Sequence, residues 1–147
     1  MSPGRVDAET LRRHLAALDA ALCQLRRHTG RPVEALRGDL DSLWAVERGL
    51  QICAQNALDV ATHLVAGAGR DAPDYASAID RLADLGVLPR SFADRFRPMA
   101  GFRNVLVHGY LDVDLARLHR ILNQHLDDFV EFATHVERHL AALRSEG

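Results

Sequence analysis

An all-α fold, an antiparallel up-and-down helical bundle of four main helices plus a short one, is what this sequence predicts. Apolar residues recur at three- and four-residue steps almost throughout, and no stretch of useful length alternates polar with apolar. β-Branched residues are scarce, and short turns between the periodic segments imply antiparallel neighbours. At 147 residues the chain has the size of one domain able to close its own core, so 1–147 reads as a single helical domain.

The first helix carries Leu11, Leu15, Leu18, Leu22 and Leu25 on one stripe, and Thr29-Gly30-Arg31-Pro32 breaks it. After Gly38, either Asp39 or Asp41 can cap a long second helix. Its apolar positions are Leu40, Leu43, Trp44, Leu50, Leu58, Ala61 and Leu64, and Gly67-Ala68-Gly69 stops it. Ala72-Pro73-Asp74 opens the short helix, with Ile79, Leu82 and Leu85 at helical spacing and Gly86 as its terminator. Beyond Pro89, Ser91-Phe92-Ala93-Asp94 has the form of a capping box for a fourth helix through Phe96, Met99, Phe102 and Leu106, which Pro98 should kink. The last helix starts near Asp112 or Asp114 and places Leu115, Leu118, Leu122, Phe129, Val136 and Leu140 on one face.

Composition narrows the function classes. Hydrophobic residues at 48% and charged residues at 26% match a globular chain rather than a disordered or fibrous one. No run approaches the ~18 apolar residues of a membrane span. The opening MSPGRVDAET lacks the basic flank and apolar core of a signal peptide, so a cytoplasmic location without membrane association is expected. Cys23 and Cys53 form no paired spacing and read as two small core residues in a reducing compartment.

Every one of the 18 basic residues is arginine, against 20 acidic ones, for a net charge of −2. A bulk electrostatic grip on nucleic acid is thereby excluded. Between 90 and 103, however, Arg90, Arg95, Arg97 and Arg103 face only Asp94, a local positive surplus.

The segment Gly101-Phe102-Arg103-Asn104-Val105-Leu106-Val107-His108-Gly109-Tyr110 departs from a bland bundle. On a helix Asn104 and His108 share a face, whereas Arg103 and His108 stand about 140° apart. Arginine and histidine cannot both enter one core seam, but both can flank a groove at the helix end if Gly109 turns His108 and Tyr110 outward. A guanidinium grips phosphate bidentately and an imidazole carries protons near neutral pH, so the pair suggests phosphodiester chemistry.

The spacing of Arg103, His108 and Tyr110 resembles the R-x4-H-x-Y motif of HEPN-domain proteins, and the segment around it is similar to the motif region of the HepT toxin family. A looser likeness extends to Trp44-Ala45-Val46-Glu47-Arg48-Gly49-Leu50-Gln51 and to the run from Leu85 to Arg97. The resemblance implies a HEPN-like bundle acting as the toxin of a toxin–antitoxin pair, a metal-independent endoribonuclease with no cofactor. It implies a homodimer, an RNA substrate, and a cognate minimal nucleotidyltransferase antitoxin as partner. By position, Arg103 and His108 would be the catalytic pair, Asn104 a supporting residue, and Tyr110 the residue that the antitoxin adenylylates. Gly109 is a departure that bears on how far Tyr110 swings and leaves the motif intact.

Alternatives stand beside this reading: a catalytically inactive HEPN module that binds nucleotide or RNA and docks a nucleotidyltransferase, or a structural helical adaptor. Arg103 and His108 could be a surface arginine and a histidine at a helix end, Tyr110 a packed aromatic, and Asn104 a partner for nearby backbone. Arg48, Gln51, Gln55, Asp59 and His63 lie on one arc, read as a solvated face in preference to a cleft wall. Glu131, His135 and His139 have ligand-like spacing but lack a remaining shell, so no metal site is expected.

Overall fold

The computed structural model describes residues 7–108 and 114–146. Among these residues there are eight helices and no strand: α1 (Ala8–Arg26), α2 (Val33–Arg37), α3 (Leu40–Gly67), α4 (Tyr75–Asp84), α5 (Arg90–Phe96), α6 (Met99–His108), α7 (Leu115–Gln124) and α8 (Leu126–Glu146). The all-helical bundle is therefore present, more finely divided than the periodicity suggested. The fourth helix is two, because Pro98 cannot supply a backbone N–H, so the break at Arg97–Pro98 separates α5 from α6. The last helix is also two, parted at His125, and a single turn, α2, occupies the link before the long helix.

Short aspartates start four of these helices. Asp7, Asp39, Asp74 and Asp114 each accept a hydrogen bond from the backbone N–H three residues on, at 3.2, 3.2, 2.7 and 3.1 Å. The start of α5 differs from expectation. It begins at Arg90 after Pro89, with no side-chain cap, so Ser91 and Asp94 form no capping box. Gly86, at φ +78°, ends α4 in the left-handed conformation that a side chain would resist.

α3 is the central strut, packing against α1, α2, α4, α6, α7 and α8. Its buried face is Val46, Leu50, Cys53, Ala54, Ala57, Leu58, Ala61 and Leu64, rich in small residues that let neighbouring helices approach. Gly49 lets Leu25 of α1 sit directly against α3: a Cβ there would lie 2.7 Å from Leu25 Cδ2. All five phenylalanines of the chain are buried. Phe96 stacks on Phe132 at 5.2 Å between ring centroids and meets Phe129 edge-on at 5.8 Å, which fastens α5 to α8.

Three assigned core positions lie outside it. Leu40 and Trp44 are 56% and 62% exposed, because the buried stripe of α3 starts at Val46 and both residues precede it on the outer side. Cys23 is exposed on α1, whereas Cys53 is buried, where desolvation pushes its thiol up to about 12. No helix among the described residues is long and apolar enough to cross a membrane.

Candidate functional site

The site is assembled on α6 and held by α3 and α4. Phe102 is fully buried and anchors α6, and Ala100 beside it is small enough to let the helix sit close. Arg103 follows Phe102 by one helical step, so its side chain runs along the flank of the bundle and is half-buried. Its Nε donates to Gln55 Oε1 of α3 at 2.7 Å, and its Nη1 donates to Asn104 Oδ1 at 2.9 Å. The guanidinium carbon stands 5.4 Å from the centre of the Tyr75 ring, at the start of α4.

The amide of Gln55 is itself oriented. Its Nε2 donates to Asp59 Oδ1, one turn along α3, at 2.8 Å and to Tyr75 Oη at 3.2 Å. With the nitrogen so occupied, the oxygen faces Arg103. A carboxylate thus fixes the arginine through an intervening neutral amide. Among the described residues no carboxylate lies within ion-pair distance of Arg103 itself.

This sets Arg103 apart from the other arginines of the basic run. Arg90 pairs with Asp84, Arg95 with Asp128 and Glu131, and Arg97 with Asp80. The local positive surplus is therefore largely cancelled by acids from elsewhere in the chain, and of these four arginines Arg103 alone has no carboxylate partner among the described residues. Its guanidinium is aimed by neutral dipoles and one aromatic ring, the arrangement that leaves most attraction for an incoming anion.

Asn104 is exposed, and its amide oxygen is committed to Arg103, consistent with a supporting place beside it. His108 is the last residue of α6 and is exposed. No hydrogen bond or ring contact joins it to the Arg103 cluster among the described residues. Tyr110 and Gly109 lie outside the described residues. The arc on α3 divides: Arg48 and His63 are exposed as a solvated face requires, but Gln55 and Asp59 turn into the site. Their i, i+4 spacing was the available signal. Nothing in the sequence links Tyr75 to Arg103, since only the packing of α4 on α6 brings them together. Glu131 engages Arg95 and His135, and no group of three or more histidine, cysteine or acidic residues among the described ones is arranged to hold a metal.

A cleft of about 510 Å³ opens beside the cluster, between α3, α4 and α6. Tyr75 and Asn104, which both touch Arg103, also line it, together with Asp74, Ala76, Ala100 and Gly101. The Asp74 carboxyl lies below its ordinary value because the Ser77 backbone N–H, and then its hydroxyl, stabilise the anion.

Known proteins share both the sequence and the shape. The chain is 27% identical over 84 residues to the mRNA nuclease HepT of Shewanella oneidensis, covering 56% of this chain and 63% of that one. It is 26% identical over 102 residues to the tRNA nuclease HepT of Aphanizomenon flos-aquae, covering 68% and 69%. The match thus spans less than two thirds of the Shewanella protein. Among solved structures, the cytosolic protein YutE of Bacillus subtilis, of unknown function, superposes with a TM-score of 0.81 at 20% identity over 93% of this chain and 92% of that one. The tri-AMPylated Shewanella oneidensis HEPN toxin, solved in complex with the MNT antitoxin, gives 0.78 at 20% identity over 88% and 97%. These likenesses establish the HEPN-toxin fold. A family model described as Ribonuclease HepT-like matches residues 18–136, most of the chain and all of the site built on α3, α4 and α6, and the protein belongs to that family.

Proposed function

We propose that the chain is the toxin component of a toxin–antitoxin pair and a metal-independent endoribonuclease. The observation that carries this reading is the charge of Arg103, held in place by Gln55, Asn104 and Tyr75 with no carboxylate among the described residues to satisfy it. Such a guanidinium suits the scissile phosphate and steadies the negative charge that grows on it. The nucleophile is the adjacent 2′-OH of RNA. As its oxygen bonds to phosphorus and the bond to the 5′-oxygen breaks, one proton leaves the 2′-OH and another reaches the departing oxygen. The products are a 2′,3′-cyclic phosphate and a 5′-OH end.

His108 is the proton carrier. One imidazole per chain serves poorly as acid and base together, and among the described residues no hydrogen bond or ring contact joins His108 to Arg103. A homodimer whose two-fold axis brings two Arg103 and two His108 side chains to one cleft supplies both roles. Asn104 supports Arg103 in that cleft.

Tyr110 is the site of silencing. A partner nucleotidyltransferase transfers AMP from ATP to the phenol oxygen and releases pyrophosphate, which adds a bulky phosphodiester two residues along the chain from His108. The structural relative solved as an AMPylated toxin with its antitoxin supports this part of the reading.

The test is end-group analysis of RNA incubated with the wild-type and His108→Ala proteins in excess EDTA. Cleavage to cyclic-phosphate ends by the wild type, lost in the variant, is expected. Full activity of His108→Ala, or dependence on added divalent metal, would overturn the mechanism. RNA binding without cleavage would mark a binding module instead.

A further inference from the structure

The cleft between α3, α4 and α6 has no part in the mechanism above, yet it shares two walls with the Arg103 cluster. Its volume of about 510 Å³ lies within the range typical of small-molecule sites. Ala76, Ala100 and Gly101 give it smooth, low walls, and the Tyr75 ring adds a flat one. Two polar groups converge on it. Asn104 has its oxygen bound to Arg103, so its Nδ2 hydrogens face outward for an acceptor. Asp74 accepts from the Ser77 N–H and hydroxyl, and its carboxylate oxygens keep further lone pairs for an N–H donor.

The charges divide the ligand. A carboxylate at the cleft repels a phosphate there, while the guanidinium beside it, with no carboxylate partner among the described residues, attracts one. What fits is a molecule with an anionic group at Arg103 and, joined to it, a flat neutral ring whose edge carries both C=O and N–H groups. We propose that this cleft binds the nucleobase adjacent to the phosphate held by Arg103, with Tyr75 as its wall and Asp74 and Asn104 reading its edge. The assignment of that phosphate to RNA rests on the ribonuclease reading; the existence of a base site does not.

Gly101 offers a clean test, since a Cβ there meets nothing within 4 Å. Gly101→Leu therefore starts its side chain in open space at the cleft wall and should occlude the cleft, and a thermal melt checks that the helix is intact. Calorimetric titration of the full chain with AMP, GMP, CMP, UMP and ribose 5-phosphate then reads the contribution of the base. At least one mononucleotide should bind roughly tenfold tighter than ribose 5-phosphate. That advantage should vanish in Gly101→Leu and persist in Gly101→Ala, with ribose 5-phosphate affinity within about twofold throughout. Equal binding of all five compounds by the wild type, or an advantage that survives in Gly101→Leu, overturns the proposal. Base-dependent binding by a protein that cuts no RNA would defeat the ribonuclease reading and leave this one standing; RNA cleavage with base-independent binding would do the reverse.

Discussion

Gln55 accepts a 2.7 Å hydrogen bond from the Nε of Arg103, joining the middle of α3 to α6 across the flank of the bundle. The bond is made to a neutral amide, although Asp59 stands one turn away and is itself bonded to that amide. Placing the carboxylate at one remove keeps the arginine in position without discharging it.

Removing or charging that amide should separate aim from charge. A hydrogen bond to a charged group is worth roughly 1.5–3 kcal/mol, so Gln55→Leu is expected to lower kcat/KM for RNA about 10- to 100-fold by loosening Arg103. Gln55→Glu should lower it further while raising the melting temperature, because a carboxylate would compete with phosphate for the guanidinium. Unchanged kcat/KM in both variants would remove Gln55 from the site.

Two glycines predict opposite responses to the same substitution. At Gly49 a methyl group would press within 2.7 Å of Leu25, and overpacking of this kind costs about 1–3 kcal/mol. At Gly101, an exposed residue in the first turn of α6, the space is open, and replacing a helical glycine by alanine stabilises by up to roughly 0.5–1 kcal/mol. Chemical denaturation should give Gly49→Ala a lower midpoint than wild type and Gly101→Ala a higher one.

Acid should unfold the protein through its caps and one arginine-held carboxylate. Asp39 is held below the ordinary carboxyl value by the Ser42 hydroxyl and backbone N–H, Asp74 by the Ser77 backbone N–H, and Asp84 by Arg90 and then Arg81. With folded values depressed, the unfolded chain binds more protons at low pH. The stability these groups provide is complete above the ordinary value of 3.8 and disappears as pH falls through the lower folded values. The melting temperature of an Asp39→Asn, Asp74→Asn variant should therefore lie below wild type at neutral pH and converge with it in strong acid. A constant gap between the two would contradict the assignment.

The two cysteines should be distinguishable by reagent. Cys23 is exposed, whereas Cys53 is buried with its thiol pushed up to about 12, far from the reactive thiolate. A thiol-specific chromogenic reagent near neutral pH should titrate Cys23 alone in the native protein and both after unfolding. Fast reaction of both without denaturant would mean that the α3 core is open.

The helical class and the placement of Arg103 on a helix next to a buried phenylalanine were legible from spacing, and the caps of α3 and α7 were narrowed to two aspartates each, of which Asp39 and Asp114 serve, because helical period and cap chemistry are local. The break at Pro98 was visible as a perturbation but not as two separate helices, since its extent depends on how α5 and α6 pack on different neighbours. Charge was misleading for a similar reason. Counting residues 90–103 alone gives a basic run, while Asp80, Asp84, Asp128 and Glu131 reach it only in the fold. Gln55 and Asp59 looked like solvent-facing polar residues on an arc, and no periodicity distinguishes a wet face from a wall that another helix brings its arginine to. Exposed Trp44 was a related miss: the start of a long helix carries the apolar period beyond the point where neighbours cover it.

The geometry around Arg103 joins residues 48 positions apart in the chain, with Tyr75 between them in sequence. None of it exists in a partly made polypeptide. During synthesis Gln55 emerges well ahead of the arginine, and the guanidinium acquires its orientation only after α6 has left the ribosome and docked on a completed α3–α4 pair. The guanidinium is therefore free to swing until α6 closes on α3 and α4, and its fixed aim is a property of the finished bundle alone.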